Sequence, residues 1–288
     1  MKQAAISCLI ASIVFIFAFE PAPAQPLEGR LSSISSGKSI KFAYRTDAKP
    51  FSFSNAFNAP DGYTVDLCKL IARSIEKQLG GSPLKLEWVP VNTENRFDMV
   101  ASGKADMECG ASTVTLSRMK QVDFSSFVFV ENTGLVVKRA ANIKRFSDLA
   151  GKKIAVIGGT SNQRAVATKN DQLKLNMTIV HAKDREEGIA ALEDGKVDAF
   201  ASDKLLLVGA QFANADAVIM LPDDVSIEPY AIVLPRGDWA LRLAVNAALA
   251  QIYGSGEAMA VFNKWFAPAG FRPSLLMGAV YVLGNIPE

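Results

Sequence analysis

Two stretches of this chain repeat one pattern: NRFDMVASGKADMECGAS at 95–112 and EGIAALEDGKVDAFASD at 187–203. Each reads as an amphipathic helix, a Gly-Lys turn, a strand that opens on a small residue and Asp, and a polar tip. A helix and one short strand cannot bury their apolar faces alone, so each copy needs a sheet to lie on. The surrounding elements repeat in the same order. In the first half, a strand over Ser39–Tyr44 precedes a helix over Tyr63–Leu79, whose apolar residues Val65, Leu67, Cys68, Ile71, Ile75 and Leu79 fall on one face. A strand over Leu84–Val91, a helix over Asn95–Ser102 and a strand over Ala105–Cys109 follow. In the second half come a strand over Lys153–Ile157, a helix begun by Asn162–Lys169, a strand over Met177–His181, a helix over Glu186–Glu193 and a strand over Val197–Ala201. The βαβαβ order implies parallel strands with right-handed crossovers. Its repetition favours two similarly built α/β domains over one continuous sheet.

After a strand at Tyr230–Leu234 the pattern turns helical. Trp239–Tyr253 and Glu257–Phe266 each carry a helical face, separated by the stop-and-restart signal Gly254-Ser255-Gly256. The apolar tail Leu275–Leu283 is far too short to cross a bilayer and is expected to pack along a domain surface.

The first residues belong to export rather than to the fold. Lys2 gives a positive start, Ala4–Phe19 is apolar, and Ala22-Pro23-Ala24 has the small-x-small form of a signal-peptidase site. Residues 1–24 are therefore read as a cleaved signal, with a mature start at Gln25. Two of the three cysteines, Cys68 and Cys109, remain after cleavage. An oxidising compartment favours their pairing; two buried thiols acting as small hydrophobes are the alternative. His181 is the sole histidine, and no C-x-x-C pair occurs, so zinc, haem and His-driven nucleophilic catalysis lack ligands and bases; no cofactor is expected. The net charge of +2, with no basic run, argues against nucleic acid or an anionic membrane as partner.

In open α/β sheets ligands lie beyond the carboxyl ends of the strands. The residues there are specific in type: Arg45 after the first strand, Thr93 and Arg96 after the second, and Ala111-Ser112-Thr113 with Arg118 after the third. In the second half they are Thr160-Ser161, Asp184-Arg185 and Asp203. A guanidinium matches a carboxylate in a bidentate way, hydroxyls and backbone N–H groups complete the cradle, and an aspartate takes an ammonium. Arg118, Thr113, Ser161 and Asp203 thus suit an α-amino acid. Arg45, Arg96 and Arg185 are left over, with no obvious protein acid beside them, and such a surplus asks for a second carboxylate on the ligand. Each residue also has a plain structural role open to it: solvated arginines, helix N-caps at Thr113 and Ser161, and a cap for the helix Lys204–Gly209 at Asp203.

Read together, KPFSF (49–53), GYTVDLCKLIA (62–72), PVNTENR (90–96), ECGASTVTLSRMKQVDFS (108–125), GLVVKR (134–139), DLAGKKIAVIGGTS (148–161) and GEAMAVFNKWF (256–266) resemble the family-3 periplasmic solute-binding proteins of ABC importers. Within them the chain is most similar to the glutamate/aspartate-binding subgroup. The resemblance implies a two-lobed type II binding-protein fold, with lobe 1 from 25–131 and 232–288, lobe 2 from 135–227, and hinge segments near 130–134 and 228–231. It implies that Arg118 clasps the α-carboxylate with help from Thr113 and Ser161, that Asp203 takes the ammonium, and that Arg45, Thr93 and Arg96 receive the side-chain carboxylate. Relatives for polar neutral amino acids usually carry an acid in place of Arg45 and an aromatic in place of Thr93. Two positions depart from the subgroup: Ala111 replaces a serine and offers only backbone, and Arg185 stands where histidine is frequent.

The implied protein is a periplasmic, monomeric, non-enzymatic binding protein read by an inner-membrane permease. A periplasmic dehydratase on the same fold, using Glu108 or Asp203 as general acid, and a sensory ectodomain are the rival readings.

Overall fold

The computed structural model describes residues 27–210 and 212–287; the signal segment read at 1–24 lies outside them. The first half runs α1 (Gly29–Gly37), β1 (Ser39–Arg45), β2 (Asp47–Ala48), β3 (Ser52–Ser54), β4 (Pro60–Asp61), α2 (Tyr63–Gln78), β5 (Lys85–Val91), α3 (Arg96–Ala101) and β6 (Met107–Glu108). The long strand β7 (Val122–Lys138) leads to β8 (Lys153–Ile157), α4 (Ser161–Leu173), β9 (Thr178–Ala182), α5 (Arg185–Glu193), β10 (Ala199–Asp203), α6 (Lys204–Val208) and β11 (Val218–Met220). Then β12 (Ser226–Pro235) returns to α7 (Trp239–Gly254), α8 (Glu257–Phe266) and α9 (Leu275–Gly284).

The repeat seen in sequence is a repeat in space. The parallel units β5-β1-β6 and β9-β8-β10 share one order, with the first strand of each unit in the middle. The echoed aspartates do the same job twice. Asp106 donates its N–H to Lys41 O at 2.8 Å and accepts the Lys41 N–H at 2.8 Å, whereas Asp198 makes the matching pair with Lys153 at 2.8 and 2.9 Å. The Gly-Lys turns match as well: Gly103 and Gly195 adopt φ of 76° and 72°, the left-handed region that favours glycine.

The backbone ladder is not divided, contrary to the expectation of two separate sheets. It runs β5-β1-β6-β12-β7-β10-β8-β9 without a break, because β7 and β12 pass through both halves as an antiparallel pair. No periodic signal marks the 17-residue β7, whose apolar runs are interrupted by Ser125, Ser126 and Glu131-Asn132-Thr133-Gly134. The cores nevertheless separate. One set of clusters is drawn almost wholly from residues before 130 and after 229, the other from residues 135–221.

Helix α2 buries Val65, Leu67, Cys68, Ile71 and Ile75 completely, each aliphatic burial stabilising by about 1.5–3 kcal/mol. An aromatic cluster of Phe51, Tyr63, Phe129, Tyr230 and Phe266 pins α2 and α8 onto β7 and β12, with ring centres 4.9 to 6.3 Å apart. The tail helix α9 lies along β7 and α7 and buries Met277 and Tyr281. Among the described residues no helix is long and apolar enough to cross a membrane.

Candidate functional site

Both parallel units point their carboxyl ends at one small cavity. Arg45, Thr93, Arg96, Ala111, Thr113 and Arg118 line it from one side; Ser161, Arg185 and Asp203 line it from the other. The nine residues read as ligand contacts are therefore brought together, whereas Asp184 lies outside the lining and N-caps α5 by accepting the Glu187 N–H at 2.9 Å. Ile157, Thr160, Asn162, Ser202 and Leu206 complete the wall.

Local structure settles which of them are merely caps. The N-cap of α4 is Thr160, whose hydroxyl accepts the Gln163 N–H at 3.1 Å. Ser161 is thus free to donate to Thr113 Oγ1 at 3.1 Å across the cavity. Asp203 holds the N-cap position of α6 but makes no side-chain cap bond; it accepts Asn162 Nδ2 at 3.0 Å instead. Thr113 caps no helix and sits on an isolated bridge to Tyr230.

The guanidiniums fall into two pairs. Arg96 donates Nε to Ser112 Oγ at 3.0 Å and Nη1 to the Thr93 carbonyl at 2.6 Å; Arg118 donates Nη1 to the Thr113 carbonyl at 2.7 Å. Both lie over the Phe97 ring, 4.5 and 4.9 Å from its centre, and all their hydrogen bonds go to neutral acceptors. Burial lowers the Arg96 pKa to about 9, and the like charges of Arg45 and Arg118 push in the same direction.

The second pair corrects the sequence reading. Arg45 and Arg185 do have a protein acid beside them, Asp47. Arg45 donates Nε and Nη2 to the two carboxylate oxygens at 2.8 Å each, and Arg185 Nη1 donates to the Asp47 carbonyl at 2.6 Å. Burial would raise the Asp47 pKa, but the two guanidiniums outweigh it and hold the carboxyl below its ordinary range. Arg45 ends β1 and Asp47 opens β2 across a bend at Thr46, and their closeness in sequence was the available signal.

Of two more acids, Glu108 entered the sequence reading only as a candidate general acid, and Asp203 as the ammonium partner. Glu108 is fully buried behind the guanidiniums with neither oxygen hydrogen-bonded, and burial raises its pKa. Asp203 is pushed up to about 6 by burial first and then by the negative charge of Glu228. Below Glu108, Cys68 and Cys109 are joined, tying α2 to the strand end that leads into Ala111. Across the cavity, Ser161–Thr113, Arg185–Asp47 and Arg164 Nη1–Ser117 Oγ at 2.9 Å connect the two sides, so the structure is a closed form.

Such a charged cleft between two α/β units joined by a pair of through-running strands is the arrangement of a two-lobed solute-binding protein. The chain belongs to the bacterial extracellular solute-binding proteins, family 3, whose model matches residues 40–268. It is similar to the L-glutamate/L-aspartate-binding protein of Pseudomonas aeruginosa, at 34% identity over 90% of this chain and 87% of that one. It is also similar to the glutamate/aspartate import solute-binding protein of Escherichia coli, at 31% identity over 91% and 87%. Among solved structures, an ancestral arginine-binding protein bound to arginine superposes with a TM-score of 0.71 at 27% identity, over 80% of this chain and 98% of that one.

Proposed function

We propose that this protein binds an acidic amino acid, glutamate or aspartate, in the cavity and delivers it to an ABC permease of the inner membrane. The carrying observation is the charge left over once Asp47 has satisfied Arg45 and Arg185. Two buried cations, Arg96 and Arg118, hydrogen-bond only to neutral acceptors, and one buried anion, Asp203, accepts the Asn162 amide and forms no salt bridge among the described residues. A zwitterion with one extra carboxylate supplies the matching set. Closing over an uncharged side chain leaves a buried guanidinium without its counter-charge, at a cost of several kcal/mol. In this reading Arg118 and Thr113 take the α-carboxylate with Ser161, Asp203 takes the ammonium, and Arg96, Thr93 and the free edge of Arg45 take the side-chain carboxylate. Ala111 offers backbone, and Arg185 joins the two sides through Asp47.

The lobes are residues 25–131 with 232–288, and 135–227; β7 and β12 act as hinge at 130–134 and 228–231. A ligand that touches both lobes stabilises the closed form, because only there are all its contacts made. The protein works in the periplasm as a monomer, exported by residues 1–24, and binds its ligand without converting it. The names of the P. aeruginosa and E. coli relatives support this choice of ligand.

Calorimetry of the mature protein across a panel of amino acids tests the reading. One-to-one binding of glutamate or aspartate is expected, with glutamine much weaker. Equal affinity for glutamine, or a new product after incubation with candidate acids, overturns it.

A further inference from the structure

The bridge at the cavity rim carries a consequence for selectivity. Asp47 lies on β2, its carboxylate doubly bonded by Arg45 and approached by Arg185 Nη1 at 3.5 Å. Both guanidiniums are nearly sealed from solvent, whereas the Asp47 side chain is 35% exposed. Arg185 Nε is buried with no partner at all. The fork of Arg45 that faces Asp47 is the geometry a ligand carboxylate would use. Asp47 is anchored by its backbone, through the pairing of β2 with β3, and Arg185 grips its carbonyl from the other side of the cavity.

We propose that Asp47 is a specificity-determining residue: a resident carboxylate that occupies Arg45 and Arg185 in place of a ligand group and so sets how much negative charge the site demands. With Asp47 in position, the four arginines call for one side-chain carboxylate and no more. Its charge also relieves the repulsion that two buried guanidiniums would feel on closure over a neutral side chain. Asp47 therefore weakens the discrimination between an acidic amino acid and its amide below what four free arginines would impose. The inference deepens the proposed function and rests on it for the choice of amino-acid probes.

Asp47→Asn keeps the side-chain size and the carbonyl that Arg185 uses, and removes the charge. The ratio of glutamine to glutamate dissociation constants, measured by calorimetry, is expected to rise about tenfold or more in the variant, as expected for release of a charge-assisted fork to the ligand. An unchanged or smaller ratio, including an equal loss of affinity for both ligands, overturns the proposal and leaves Asp47 as a simple strut. A second readout needs no amino acid. Sulfate added to the ligand-free proteins is expected to raise the melting temperature of Asp47→Asn by several degrees more than that of the wild type, because two buried cations have lost their anion. No difference in the sulfate response counts against the proposal. If Asp47→Asn does not fold, Asp47→Ser is carried through the same two measurements. Should the wild type bind neither glutamate nor aspartate, the proposed ligand is wrong, and the sulfate comparison still decides the role of Asp47.

Discussion

Glu131 and Glu228 stand directly opposite one another across the antiparallel pair β7–β12, and both are buried. Glu228 accepts the hydroxyls of Thr133 and Ser226 at 3.1 and 2.5 Å, and Glu131 accepts the Asn132 N–H at 2.9 Å; the second oxygen of each has no partner. Two like groups thus meet on the strands through which the halves are joined. Burial pushes Glu131 up to about 8, and the charge of Asp203 adds to it.

Stability against pH follows from that shift. Glu131 binds its proton more tightly in the folded state, so its contribution is fully present below about pH 4.5 and is lost as pH rises through about 8. Glu131→Gln keeps the neutral form at every pH. Its melting temperature is expected to gain on the wild type between pH 5 and pH 8, by a difference equivalent to up to about 4 kcal/mol. A gap that does not change with pH would show that Glu131 does not titrate as described.

Binding should itself be coupled to a proton. Burial pushes the Asp203 pKa up to about 6, and a ligand ammonium favours its charged form. Affinity is expected to fall as pH drops below 6 and to level off above 7. Calorimetry at pH 5.5 in two buffers of different protonation enthalpy should record release of about half a proton or more per ligand bound. Zero release would remove Asp203 from the ammonium site.

The two ends of the ligand can be told apart by substitution. Arg118→Ala is expected to abolish binding of every amino acid, and Arg118→Lys to cost about ten- to hundredfold, because an ammonium cannot reproduce the planar fork. Arg45→Ala should mainly erode the preference for acidic over amide side chains. Equal losses for glutamate and glutamine in both alanine variants would refute the division into head and tail.

Closure has a steric signature at Gly209, which ends α6 with φ of −77°, a conformation any residue accepts. A Cβ there would sit 2.5 Å from the backbone oxygen of Lys49 on the other side of the cleft. Gly209→Ala should leave the melting temperature of the ligand-free protein unchanged or slightly raised, yet weaken every ligand about tenfold or more by straining the closed form. A variant that binds as tightly as wild type would mean that the Lys49–Gly209 approach is not required for closure.

Much of the architecture was legible because it rests on local rules. Helical periodicity marked the buried face of α2, and the doubled βαβαβ order marked the two 2-1-3 units. Nine of the residues that line the cavity were reachable because strand ends in such a sheet converge, whereas Ile157, Asn162, Ser202 and Leu206 were not, their types being ordinary for a core or a helix start. The ladder through both halves was not legible. Strands β7 and β12 are held by pairing with each other over residues 122–133 and 226–235, and pairing partners so distant in sequence leave no periodic trace. Nor did sequence show which charges are already spent. Arg45 and Asp47 lie two residues apart, but whether that aspartate faces water or two guanidiniums depends on Arg185 arriving from the opposite side, 138 residues on. Residue types alone determined that cations gather around a cleft; only the tertiary structure decided which of them still lack an anion, because electrostatic pairing acts through space between groups that the chain itself keeps far apart.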